Sequence, residues 1–123
     1  MIRNILFDWG GVLIEDPGPG VRDYCARALG IHRDMMKSEL WHTAMLRFQV
    51  GAVEESRMWE ELCAAWGVRA LGKRSIWTEA FYAVYREQAE TLRLARQLQT
   101  QGYRVGLLSN TELPTVAFLR KEH

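Results

Sequence analysis

Polar and apolar positions divide the chain into three stretches of different period. Ile2 to Phe7 form a largely apolar run that stops at Asp8-Trp9-Gly10-Gly11. A short run of this kind closed by turn residues predicts a strand covered on both faces, as in a parallel sheet. The next segment, EDPGPGVRD, holds two prolines and two glycines in succession and predicts a loop, a hinge between two structural layers.

From there to about residue 86 the spacing is helical. Val21, Tyr24, Cys25, Ala28 and Leu29 share one face, with Gly30 as the stop. Met35, Met36, Leu40, Ala44, Met45 and Phe48 continue the same spacing to Gly51. Glu54 and Glu55 suit the positive end of a further helix with the stripe Met58, Trp59, Leu62, Cys63 and Trp66, stopped by Gly67. Ile76, Trp77, Ala80, Phe81, Val84 and Tyr85 make a fourth stripe. The middle of the chain is therefore expected to be a helical bundle with the Met and Trp stripes as its core, because packing alone demands that spacing.

A fifth helix is expected from about Arg86 to Thr100, ended by Gln101-Gly102, and then a second apolar strand, YRVGLLSNT, finishing at Ser109-Asn110-Thr111. ELPTVAFLRKEH has the pattern of a last helix. Strand, helical insert, helix and strand make a crossover unit, which joins parallel strands of one sheet. The expected fold class is α/β, with residues 1–16 and 86–123 forming a Rossmann-like core and 17–85 the inserted helical bundle.

Composition adds limits. The chain has 123 residues, and its 16 basic and 15 acidic side chains leave a formal charge of +1, which gives no footing for nucleic acid or an anionic membrane. The apolar runs fall short of a membrane span, and no signal peptide is evident, so a cytoplasmic location is expected. Cys25 and Cys63 lie within apolar stripes without metal-ligand spacing and read as buried thiols. His32, His42 and His123 pair with no obvious nucleophile.

The candidate chemistry sits at the strand ends. Parallel neighbours would bring Asp8 and Ser109-Asn110-Thr111 out at the same carboxyl edge, where open α/β sheets bind ligands. Asp8 could there act as a nucleophile or hold Mg²⁺, a hard cation suited to carboxylate and carbonyl oxygens. Ser109 could bond a phosphoryl oxygen, and the glycines allow close approach of backbone N–H groups to an anion. Equally, Asp8 could cap a turn and Ser109 begin a loop for local reasons, and spacing supports both readings alike.

ILFDWGGVLIE resembles the first motif of the haloacid dehalogenase superfamily, and VGLLSNT resembles the second, with intervening helices that look like that family's α-helical cap. The resemblance implies a Rossmann-like core with Asp8 as nucleophile. It also implies that Asp8 and the Gly10 carbonyl are Mg²⁺ ligands, and that Gly11, Ser109 and Asn110 bind phosphate. The implied activity is hydrolysis of a small phosphorylated metabolite through an aspartyl-phosphate; the dehalogenase branch uses the same nucleophile on a carbon–halogen bond without metal. Gly10 stands where the phosphatase pattern has a second Asp, the general acid, and Glu15 and Asp16 are nearby carboxylates.

The family's third and fourth motifs, a Lys and one or two Asp residues, would lie beyond the point where this sequence stops, and Lys121 is too close to the second motif to match. The expectation is therefore an impaired hydrolase represented by its cap and the first two strands, with an open sheet edge that pairs with a second copy or with a C-terminal part. The rival of a different class is a non-catalytic interaction module built on the same fold, motivated by Trp41, Trp59, Trp66 and Trp77 as well as by the missing motifs.

Overall fold

The computed structural model describes residues 1–122. Its elements run β1 (Asn4–Phe7), α1 (Gly18–Leu29), a 3-10 turn (Arg33–Lys37), α2 (Glu39–Gln49), α3 (Glu55–Trp66), α4 (Ile76–Val84), α5 (Ala89–Thr100), β2 (Arg104–Leu107) and α6 (Leu113–Glu122). They form two compact units: Met1–Pro17 with Val84–Asn110, and Gly18–Ala83 with the segment from Thr111 onward.

In the first unit β1 and β2 are parallel neighbours, with Asn4 beside Arg104, Ile5 beside Val105, Leu6 beside Gly106 and Phe7 beside Leu107. The α5 crossover supplies the length that a parallel connection needs. Among the described residues the sheet has these two strands alone, so the expectation of a strand covered on both faces does not hold. Asn4 and Leu6 are exposed while Ile5 and Phe7 are half-buried, the period of two produced by cover on a single face. Leu6, Leu107 and Leu108 are 64%, 51% and 69% exposed, and no residue of α5 is fully buried. The buried hydrophobic residues of this unit are Trp9 and Ile14.

The second unit has the larger core. Val21, Cys25, Met36, Trp41, Phe48, Met58, Trp59, Leu62, Cys63, Trp77 and Phe81 are all buried, so the Met and Trp stripes do pack inward, except that Leu40 of the second stripe is exposed and Met35, Ala44, Met45 and Trp66 are half-buried. Trp41 stacks on Trp59 at 5.9 Å, and Phe48 meets Trp77 edge-on at 5.6 Å, the offset and T-shaped arrangements favoured by the ring quadrupole. Arg74 grips Glu79 through Nε at 3.1 Å and Nη2 at 2.7 Å, and the Tyr24 hydroxyl donates to the same carboxylate at 3.2 Å. The Arg74 hydrogen bonds hold the Glu79 carboxyl below its usual range.

Three local differences from the sequence reading have physical causes. The stripe from Met35 to Phe48 is two elements, because the Ser38 hydroxyl accepts the Trp41 N–H at 3.3 Å and restarts the chain as α2. The expected loop at Pro17–Gly20 is shorter, since α1 begins at Gly18; a proline in a first turn sacrifices no intrahelical bond and already has a helical φ. Helix α6 packs in the helical unit, where the sequence reading attached all of 86–123 to the sheet: Trp77 Nε1 donates to Thr115 Oγ1 at 3.0 Å, and Phe118 meets Tyr82 edge-on at 4.8 Å. Gly67 does stop α3 as expected, at φ 68° in the left-handed region, with Val68 N–H donating to the Cys63 carbonyl at 3.0 Å.

Candidate active site

The register of two short strands sets the site. With Phe7 beside Leu107, the ladder gains one more bond from the Leu108 N–H to the Phe7 carbonyl at 2.9 Å. Asp8 and Ser109 therefore leave the sheet from the same, carboxyl, end. Nothing downstream of Phe7 continues the strand, because the chain turns at once around a single acceptor. The Trp9 carbonyl receives the N–H groups of Val12 at 3.1 Å, Leu13 at 2.9 Å and Ile14 at 3.2 Å. Gly11 sits inside that turn at φ 78°, a conformation that costs a non-glycine residue roughly 1–2 kcal/mol.

Asp8 is exposed. Its Oδ1 accepts the N–H of Trp9 at 2.7 Å, which fixes the carboxylate against the backbone that follows and leaves Oδ2 for other chemistry. Trp9 anchors this arrangement: the ring is 6% exposed and lies 6.4 Å from Tyr85. The loop is closed further on by Glu15 N–H to the Arg86 carbonyl at 2.9 Å and Gln88 N–H to the Leu13 carbonyl at 2.8 Å. Gly10 is exposed with an ordinary φ, and a Cβ added there would meet Pro17 Cδ at 3.4 Å. At the second strand end Ser109 is half-buried, with its Oγ at 3.5 Å from the Asn110 carbonyl, and Asn110 is exposed.

The same strand end thus brings together Asp8, the Gly10–Gly11 turn, Ser109 and Asn110. Glu15 and Asp16 are exposed on the loop after Ile14. Lys121 belongs to α6 in the other unit, 3.7 Å from Glu122. His32 is occupied in capping the 3-10 turn through Nδ1, which accepts the Asp34 N–H at 3.2 Å, His42 is exposed on α2, and His123 lies outside the described residues. Among the described residues no three His, Cys, Asp or Glu side chains gather as a metal cluster. The oxygen donors offered here, one carboxylate and one backbone carbonyl, are of the type a hard cation takes.

One residue at this end escaped the sequence reading. Trp9 orients Asp8 through its N–H, and its signal was an aromatic side chain wedged between a carboxylate and a glycine pair.

A parallel βαβ pair with an inserted helical bundle is the arrangement of the haloacid dehalogenase-like fold. Comparison with solved structures gives the same answer. The HAD-family enzyme BT-2542 from Bacteroides thetaiotaomicron matches with a TM-score of 0.70 at 21% identity, over 98% of this chain and 59% of that chain. The wild-type form of that protein, in complex with magnesium and inorganic phosphate, matches with a TM-score of 0.67 at 21% identity, over 99% and 60%. A structure described as a predicted HAD-like family hydrolase from Porphyromonas gingivalis matches with a TM-score of 0.64 at 26% identity, over 95% and 55%. The chain therefore has a haloacid dehalogenase-like fold and spans about three fifths of the length of those structures. No family model and no curated protein matches the sequence.

Proposed function

We propose that the chain carries part of the machinery of a HAD-like hydrolase, a phosphatase with Asp8 as nucleophile. The observation that carries this reading is the register, which sends Asp8 and Ser109 out of neighbouring parallel strands at one end. The magnesium and phosphate held by BT-2542 at the same fold support it.

In the proposed reaction Oδ2 of Asp8 attacks phosphorus, the bond to the leaving alkoxide breaks, and an aspartyl-phosphate forms; water then cleaves it, returning the carboxylate and inorganic phosphate. The Ser109 hydroxyl, the Asn110 amide and the Gly11 N–H are the donors for phosphoryl oxygens, where transition-state charge develops. Asp8 and the Gly10 carbonyl would hold Mg²⁺, which when bound screens the repulsion between carboxylate and phosphate. One carboxylate and one carbonyl hold such a cation weakly, so millimolar Mg²⁺ is the concentration to test. With glycine at position 10 no residue there donates a proton to the leaving group, and turnover of poor leaving groups is slow.

The test is Mg²⁺-dependent cleavage of p-nitrophenyl phosphate by the chain and by Asp8→Asn. The asparagine amide oxygen can still accept the Trp9 N–H, so the turn survives while the nucleophile is lost. Equal rates would remove Asp8 from the chemistry, and chloride release from a 2-haloacid would move the reading to the dehalogenase branch.

A second reading rests on its own observation. The exposed Leu6, Leu107 and Leu108, beside strand edges that no other strand among the described residues covers, suit an assembly module, since an open edge is a template for another strand. Sedimentation decides this one: a monomer at high concentration counts against it.

A further inference from the structure

The amino end of the sheet, opposite the Asp8 turn, is built from the residues leading into β1 and from the tight connection between α5 and β2. The two segments are joined by the Arg104 N–H on the Arg3 carbonyl at 2.8 Å. The connection is held by its own backbone. The Gln101 N–H turns back to the Gln97 carbonyl at 3.1 Å, that of Gly102 to Gln99 at 3.0 Å and that of Tyr103 to Leu98 at 3.1 Å. Carbonyls at the end of α5 are thus occupied, which weakens the negative pole that a helix C-terminus would turn toward an anion. Between these segments opens a cleft of about 530 Å³ whose walls include Arg3, Asn4, Gln101, Tyr103 and Arg104. It lies wholly within the sheet unit.

Charge is sorted along this unit. Among the described residues no ion pair engages Arg3 or Arg104. The unit's carboxylates stand at the other end: Asp8 follows β1, Glu15 and Asp16 follow Ile14, which bridges to Glu87, and Glu90 lies in the first turn of α5. The 12 residues of α5 make about 18 Å of helix, roughly two Debye lengths at physiological ionic strength. The carboxylates of this unit therefore do little to offset the two guanidinium charges at the cleft.

The volume is that of a small-ligand site. A guanidinium grips phosphate oxygens with two parallel N–H donors, and the side-chain amides of Asn4 and Gln101 add donors and acceptors. The half-buried Tyr103 adds an aromatic wall on which a flat ring can stack. We propose that the amino end of the sheet binds a nucleotide-sized organic phosphate, its phosphates on Arg3 and Arg104 and its ring against Tyr103. The site is separate from the chemistry proposed at the carboxyl end and does not depend on it.

The experiment is titration calorimetry of the full chain carrying Asp8→Asn, in buffer without Mg²⁺, with ADP and separately with inorganic pyrophosphate as probes. Removing the nucleophile and the metal keeps hydrolysis out of the signal. Adding Arg104→Ala weakens ADP binding at least about tenfold, the scale of a charge-assisted hydrogen bond, and adding Arg3→Ala as well weakens it further. Ser109→Ala leaves it unchanged. Both arginines are exposed, so their truncation leaves the urea midpoint in place. ADP binds more tightly than pyrophosphate because of its ring, and Tyr103→Ala erases that difference. Equal affinities for the two probes in the parent would overturn the assignment of a nucleotide-sized ligand. Absence of ADP binding at millimolar concentration, or an affinity indifferent to both arginines, would overturn the site. Binding lost in Ser109→Ala and kept in the arginine variants would place the anion at the carboxyl end and overturn it too.

Discussion

Gly10→Asp is the substitution that probes the site most sharply. Gly10 has an ordinary φ, so a side chain brings no left-handed strain, and the new Cβ stops 3.4 Å from Pro17 Cδ, at the near limit of ordinary van der Waals contact. Replacing a glycine at a compatible φ restricts the unfolded chain and is worth about 0.4–1 kcal/mol, which offsets a small shift of the Pro17 ring. Stability is therefore expected to change by less than about 1 kcal/mol. The gain is in chemistry: a carboxylic acid two residues after the nucleophile can protonate a departing alkoxide, an effect of about 10²–10⁴ in rate, or roughly 3–5 kcal/mol of barrier. The increase belongs to substrates that need a proton. The assay is Mg²⁺-dependent phosphate release from p-nitrophenyl phosphate and from a simple alkyl phosphate, by the parent chain, Gly10→Asp and Gly10→Asn. The aspartate variant should accelerate the alkyl ester at least about a hundredfold more than the aryl ester, and the asparagine variant should do neither. Equal behaviour of the aspartate and asparagine variants would refute the placement of the acid, and with it the reading of Asp8 and position 10 as partners.

Other expectations concern the scaffold. Trp77→Ala removes a 6%-exposed ring together with its bond to Thr115 and should cost about 3–5 kcal/mol, read as a lower urea midpoint. Gly67→Ala forces a Cβ into φ 68° at the end of α3 and should cost roughly 1–2 kcal/mol. Burial, then the charges of Glu55 and Glu79, push the Cys25 thiol up from 9.0 to about 12. Between those values the unfolded chain loses a proton that the folded chain keeps, so stability falls as pH rises through that window. Cys25→Ala should flatten this part of the slope in urea titrations between about pH 9 and pH 11, and an unchanged slope would place the alkaline sensitivity elsewhere.

Much of this molecule was legible as pattern. The parallel pair, the four-helix insert, the glycine stops and the inward Met and Trp stripes all follow from periodicity and turn chemistry, which act over a few residues. The strand-end pair was legible for a related reason: topology carries two strand termini to one edge whatever packs around them. The break at Ser38 escaped because a serine hydroxyl was free either to cap a helix or to face water on a longer one. The helical start at Gly18 escaped because proline and glycine together read as loop, although a first turn tolerates both.

The chain's own sequence determined which residues could form strands and helices, and that a carboxylate and a hydroxyl would end two of the strands. Tertiary structure alone decided the one-face cover of β1, since burial depends on what packs there and not on the strand's composition. It alone decided that α6 belongs with the helices, because Thr115 and Phe118 find their partners on α4. It also turned Glu112 from one more charge after a strand into a buried carboxylate hydrogen-bonded by Gln49 and Thr115, for a carboxylate's surroundings are set by residues far away in the chain, and no local spacing records them.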